Sequence, residues 1–138
     1  INLSAERALR NGVKIYRHEL DVQLMADPGR LSIAFFNIIA NSIDSMHNGG
    51  TVEIKCLLEK DLVEIQFIDT GIGIPVEFQS RVFYPFVSTK AKGFGLGLAL
   101  TKRIIEKDHN GKVTIMSLPS KGTTVNVLIP TNVKIKKD

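Results

Sequence analysis

At 138 residues the chain is long enough for one domain with a real core, and its 43% hydrophobic and 23% charged content is that of an ordinary globular protein. A single cysteine, Cys56, excludes an internal disulfide or a cysteine-based zinc site and fits a reducing compartment. The net charge of +4 and pI near 9.3 leave two readings, a surface with surplus lysines or an anionic partner such as a nucleotide phosphate. The lysines are scattered, and the cluster at Lys134, Lys136 and Lys137 reads as ordinary surface. No run of about 18 apolar residues is present to span a membrane, and no signal peptide opens the chain. Ile1 is no natural start, so residues 1–138 are expected to be a single domain, with a core of about 12–130, cut from a longer protein.

In chain order, Ser4 to Arg10 reads as a short helix with Ser4 as its N-cap, and Asn11-Gly12 ends it. Val13 to Tyr16 alternates and suits a strand, as does Val22 to Met25. Asp27-Pro28 then opens a long helix, acid as cap and proline at its first position, running to about Met46. Asn48-Gly49-Gly50 stops it. Val52, Ile54, Cys56 and Leu58 alternate, and so do Val63, Ile65 and Phe67. Lys60-Asp61 joins them tightly, which predicts a β-hairpin. One helical turn is expected near Glu77 to Val82, and Leu96 to Lys107 reads as a helix opened by glycines. Val113 to Ser117 and Val125 to Ile129 are strands around a turn at Pro119 to Gly122. Helices and strands mix without strict βαβ alternation. The expected fold is an α+β two-layer sandwich, a mixed, mostly antiparallel sheet covered on one face by helices.

Three stretches carry chemistry. The hairpin delivers Asp69-Thr70-Gly71-Ile72-Gly73-Ile74-Pro75, an acid at a strand end followed by two glycines. Such a backbone lets a flat group come close, and the Asp69 carboxylate can accept from the exocyclic amine of a base; alone, the pattern also fits a simple turn. On the long helix, Asn37, Asn41 and Asp44 form one polar stripe at i, i+4 and i+7. These asparagines are either solvated positions on an amphipathic helix or amide oxygens for a hard cation. Magnesium keeps most of its bonds to phosphate and water, so one or two protein oxygens suffice. Finally, Gly93, Gly95 and Gly97 lead straight into a helix, whose free N–H groups attract phosphates. Neither the dinucleotide fingerprint nor a Walker sequence is present. Lys90 is equally a phosphate contact or a solvated lysine.

Together these residues resemble the catalytic ATP-binding domain of two-component sensor histidine kinases, within the superfamily of gyrase and heat-shock chaperone ATPases. Asn37-x-x-x-Asn41 resembles the N box and Asp69 to Gly73 the G1 box. Phe83-Tyr84-Pro85-Phe86 with Ser88-Thr89-Lys90 resembles the F box, and Gly93 to Leu98 the G2 box. Gly122-Thr123 matches a pair near the end of the same domain. Order and spacing agree from about Asp27 to Pro130.

The resemblance implies ATP and Mg2+ as ligands. Asp69 would take the adenine amine, with Gly71 and Gly73 close by and Thr123 assisting through a water. Asn41 would ligate magnesium, with Asn37 beside it. Gly93, Gly95, Leu96 and Gly97 would hold the phosphates, under a lid that includes Lys90. Asp44 stands where many relatives carry Lys, Ser88 where Thr is usual, and Phe94 where a small polar residue is common. Only Ala91 and Lys92 separate Lys90 from Gly93, a short lid similar to that of the nitrogen-regulatory subgroup.

The implied partners are a separate dimerisation and histidine-phosphotransfer domain and a response regulator. The parent would be a cytoplasmic or membrane-anchored homodimer, with no nucleic-acid partner. His18 is expected at the surface, His47 at a helix end and His109 in a turn, so the phosphoacceptor histidine is expected elsewhere. In the gyrase and chaperone ATPases and in the serine kinases of the superfamily, a water- or hydroxyl-activating Glu matches position 37. Asn37 therefore points to histidine as acceptor, since neutral imidazole needs no base. The alternatives are a non-catalytic ATP-sensing module, or an ATPase or serine kinase of the same superfamily.

Overall fold

The computed structural model describes residues 12–18, 26–46, 48–80, 82–83 and 95–131. Among them five strands share one sheet: β1 (Val13–Arg17), β2 (Gly50–Glu59), β3 (Leu62–Asp69), β4 (Lys112–Leu118) and β5 (Gly122–Pro130). Their order is β1-β2-β3-β5-β4. β1 and β2 run parallel, and every other pair is antiparallel. A parallel pair needs a crossover, and helix α1 (Pro28–Asp44) lies within it. The expected helix at Ser4 to Arg10 and strand at Val22 to Met25 fall outside the described residues.

Alternation decides which sheet face is covered. Val52, Phe67, Val113, Val125, Val127 and Ile129 point to one side and are buried. There they meet Leu31, Ala34, Ile38, Ile39 and Ile43 of α1, with Ile104 and Ile105 from a second helical stretch. The Phe35 and Phe67 rings are 5.6 Å apart. On the other side Tyr16, Leu57 and Met116 are exposed, and Gln66 donates to Asn126 at 2.9 Å. Among the described residues the helices that build the core therefore lie against one face, as the alternation predicts.

The start of α1 follows from its sequence. Asp27 caps it, accepting from the Arg30 N–H at 3.1 Å, and Pro28 takes the first position. A short helix α2 (Val76–Gln79) realises the predicted turn. Helix α3 (Gly95–Lys102) continues without a break into a π-helical segment, Arg103–Asp108. Apolar spacing predicts a single α-helix here, because spacing alone does not separate the two forms.

His109 departs furthest from its reading as a turn residue. It is fully buried. Its Nε2 accepts from the Asp27 N–H at 3.0 Å, and its Nδ1 lies 2.9 Å from the Ile104 carbonyl. A carbonyl only accepts, so Nδ1 carries the hydrogen, and both partners select one neutral tautomer. Beside it Arg30 reaches Asp108 at 3.0 Å and Asp27 at 3.6 Å. The end of the π segment is thereby tied to the start of α1. No helix among the described residues is long and apolar enough to cross a membrane.

Candidate functional site

Asp69 is the last residue of β3, paired in register with Val52 and Thr123. It is buried at 6% exposure. Its Oδ1 accepts from the Gly71 N–H at 2.9 Å and from the Thr123 N–H at 3.1 Å. Burial pushes its pKa up, and the Gly71 N–H, the Ser42 hydroxyl and the Thr123 N–H oppose that rise. The carboxylate is thus held by one oxygen, leaving Oδ2 for other partners.

Two glycines make this geometry possible. Gly122 has φ +95°, and a Cβ there would lie 2.1 Å from the Asp69 carbonyl oxygen. Gly73 has φ +76°, and a Cβ there would lie 2.2 Å from the Leu118 carbonyl oxygen. No side chain fits at either position. Behind them Ser117 joins three segments. Its Oγ accepts from the Ile74 N–H at 2.8 Å, donates to the Gly122 carbonyl at 3.1 Å, and lies 2.9 Å from Thr123 Oγ1. A hydroxyl has one hydrogen, so Thr123 donates to Ser117 and keeps its lone pairs for other groups.

Asp69 faces α1 across a cleft. Asn41, Ser42 and Ser45 form the helix side, Gly73, Ile74 and Thr123 flank the acid, and Ile38, Leu98 and Ile115 supply apolar surface. Space for solvent inside is about 30 Å³, enough for one or two waters, and the cleft out to its open mouth holds about 400 Å³. A second, wider recess of about 540 Å³ reaches Asp69 from the β4–β5 turn and is lined in part by Lys121.

Asn41 lies half-buried at the cleft, with its Nδ2 enclosed and without a hydrogen-bond partner. An orphaned buried amide costs about 1–3 kcal/mol, an arrangement that suits a site shaped for a ligand. Asn37 sits one turn back on the same stripe, half-buried, and does not line the cleft. Gly71 contributes its N–H to Asp69. Gly95, Leu96 and Gly97 form the first backbone turn of α3, and Leu98, next in that helix, lines the cleft. Lys90 and Gly93 fall outside the described residues.

Reasoning from sequence singles out the asparagine stripe and overlooks Ser42 and Ser45. A signal for them exists. Ile38, Ser42 and Ser45 are spaced i, i+4 and i+7, so two hydroxyls interrupt a core-facing row. Ser117 and His109 have no such local signal, since their roles depend on segments far along the chain.

Residues 26–133 match the family model of histidine kinase-, DNA gyrase B- and HSP90-like ATPases. The chain belongs to this family. Sporulation kinase A of Bacillus subtilis (strain 168) is 38% identical over 109 residues, a match covering 79% of this chain and 18% of that kinase. The chain thus spans under a fifth of that relative's length. The nucleotide-free catalytic domain of histidine kinase ThkA superposes with a TM-score of 0.81 at 27% identity, covering 95% of this chain and 87% of that one. Full-length ShkA in complex with AMPPNP superposes with a TM-score of 0.82 at 25% identity, covering 98% of this chain and 29% of that one. The motif order read from the sequence and the sandwich fold both agree with this family of ATPases.

Proposed function

We propose that this domain binds Mg-ATP and donates the γ-phosphoryl group to a histidine on a separate dimerisation and phosphoacceptor domain. The observation that carries the reading is one cleft uniting a buried acceptor, Asp69, with Asn41 of α1 and Leu98 of α3. Asp69 selects the base by accepting from its exocyclic amine. The first N–H groups of α3, with Gly93, Gly95, Leu96 and Gly97, cradle the phosphates, and Lys90 closes over them.

The residues present fit a magnesium ion that arrives with the nucleotide. Among the described residues no three His, Cys, Asp or Glu side chains gather to cage a metal, so phosphates and water supply most of its oxygens. Asn41 would hold it, with Asn37 assisting, and the ion would neutralise developing charge on the transferred group. Asn37 offers no carboxylate to activate water, which suits an acceptor imidazole whose lone pair is already free. The whole protein is read as a cytoplasmic or membrane-anchored homodimeric sensor kinase, of which residues 1–138 are the catalytic domain, passing its phosphoryl group to a response regulator.

The test is phosphotransfer from labelled ATP to the parent's helical domain, alongside hydrolysis by the isolated domain. Transfer to histidine with very slow hydrolysis is expected. Asn37→Glu should raise hydrolysis at saturating ATP without improving transfer, because general-base assistance contributes roughly 10²–10⁴-fold. Rapid hydrolysis by the unmodified domain, with no transfer, would overturn the reading and favour the water-activating branch.

A further inference from the structure

Three side chains stand in one row across neighbouring strands. Asp69 on β3 pairs in register with Thr123 on β5, and Thr123 pairs with Ser117 on β4. Asp69 and Thr123 line the cleft, whereas Ser117 stands behind Thr123 and lines the neighbouring recess instead. Ser117 is firmly held. Its Oγ takes the Ile74 N–H at 2.8 Å and gives its hydrogen to the Gly122 carbonyl at 3.1 Å. Gln79 of α2 donates to the carbonyls of Ile74 and Ser117, at 2.8 and 3.0 Å, which fixes both segments around that hydroxyl. An N–H only donates and a carbonyl only accepts. The remaining contact, 2.9 Å to Thr123 Oγ1, is therefore satisfied only when Thr123 supplies the hydrogen.

We propose that Ser117 is a positioning residue for base recognition: by drawing the Thr123 hydrogen away from the cleft, it leaves Thr123 Oγ1 an acceptor there, beside the acceptor Oδ2 of Asp69. The inference rests on the nucleotide-binding reading and adds to it a residue that sets specificity. Among the described residues Asp69 and Thr123 are the only polar side chains on the sheet wall of the cleft, next to Ile115 and Val125. The backbone donors at Asp69 are spent, since the Gly71 and Thr123 N–H groups both go to Oδ1. A wall of acceptors suits a base edge that brings hydrogens. The amine of a 6-aminopurine brings two, and a 6-oxopurine presents lone pairs at the same place. A freely turning hydroxyl serves either base, because it donates or accepts as needed. Locking it removes that tolerance, and two acceptors facing each other away from water are costly. Discrimination between the bases is then set from a strand position that does not itself touch the ligand.

The experiment measures, by calorimetry at constant magnesium and pH, affinities of the 138-residue chain for ATP and for inosine triphosphate, its 6-oxo counterpart with the same triphosphate. The variants are Ser117→Ala, Thr123→Val and the two combined. The unmodified protein should favour ATP. Ser117→Ala releases the Thr123 hydroxyl, so that preference should fall roughly two- to tenfold, the worth of one hydrogen bond, with inosine triphosphate bound as well as before or better. Thr123→Val keeps the Ser117 bonds to Ile74 and Gly122 and removes the acceptor, so it should lower the preference by a similar factor. In that background Ser117→Ala should shift the preference by less than about twofold. Ser117→Cys, whose thiol is a weak acceptor of similar size, repeats the test should Ser117→Ala not fold. A merely structural Ser117 would weaken both nucleotides alike, or act equally with and without the Thr123 hydroxyl, and either result overturns the proposal. An unchanged preference in Thr123→Val overturns it as well. Equal affinity for the two nucleotides in the unmodified protein would instead overturn the assignment of Asp69 to the base, and the proposal with it.

Discussion

The two ends of α1 meet the rest of the molecule in different ways. At its start, Asp27, Arg30, Asp108 and His109 interlock, and the imidazole spends both nitrogens on backbone groups. At its other end Asn41, Ser42 and Ser45 face Asp69 across a cleft, with the Asn41 amide nitrogen enclosed and unpaired. Both clusters are polar and partly buried. One is saturated, and the other is left unfinished. Saturation marks polar groups that fasten a fold, whereas an unmet donor beside a buried acceptor marks a place where something else binds.

The sharpest way to test this contrast is Asn41→Ala. Phosphoryl transfer should drop below detection, while the melting temperature stays level or rises, because an unpaired buried amide is removed. Normal transfer by this variant would show that Asn41 is not the metal ligand. At the saturated end, His109→Ala should do the opposite. It orphans the Asp27 N–H and the Ile104 carbonyl and opens a cavity, so stability should fall by about 3 kcal/mol. Nucleotide affinity of the folded protein, read by calorimetry, should stay within about twofold. A collapse of affinity without loss of stability would erase the distinction between the two ends.

Asp69→Asn comes next in size. A hydrogen bond to a charged group contributes about 1.5–3 kcal/mol, so ATP affinity should fall roughly ten- to a hundredfold; unchanged calorimetric affinity would remove Asp69 from the base site. The same variant carries a pH signature. The folded pKa of Asp69 is raised, so the native state holds this proton more tightly than the unfolded chain does. Stability from this group is therefore present at low pH and lost as pH climbs from the ordinary carboxylate range through the raised value. Ligand-free Asp69→Asn should lose that slope, visible as flatter melting temperatures across the window. The smallest effect is Asp27→Ala, which removes a helix cap worth about 1 kcal/mol and should lower the melting temperature by roughly 2–4 °C, without touching base discrimination.

Legibility in the sequence divides along the same line. The α1 start, the hairpin and the Asp69 strand end are readable because their signals are local. Asp27-Pro28 is a cap and a first turn, Lys60-Asp61 a tight connection, and Asp69-Thr70-Gly71 a strand running out into glycine. The asparagine stripe is readable by helical spacing, although only Asn41 of its members lines the cleft. His109 is not readable, because its partner Asp27 lies 82 residues away and Asp108-His109-Asn110-Gly111 has the composition of a turn. Ser117 is hidden for a similar reason, as its partner Ile74 is 43 residues distant. Long-range polar contacts leave no period in the chain. They become visible only once the sheet brings their segments together.

The π-helical turn has a consequence for changes in chain length. Arg103–Asp108 fits more residues into a turn than an α-helix would, and it ends on Asp108 and His109, both fixed to the α1 start. Losing one residue while ordinary α winding returns would leave the downstream chain nearly in place, because six π residues turn about as far as five α residues. Adding one residue to this already overfull segment would instead swing the downstream chain by roughly 100°, so that Asp108 would leave Arg30 and His109 would leave Asp27. Lengthening there is thus expected to be worse than most substitutions at the same positions. By contrast, the exposed connection through Pro119, Ser120 and Lys121 should absorb an added residue at far less cost to stability.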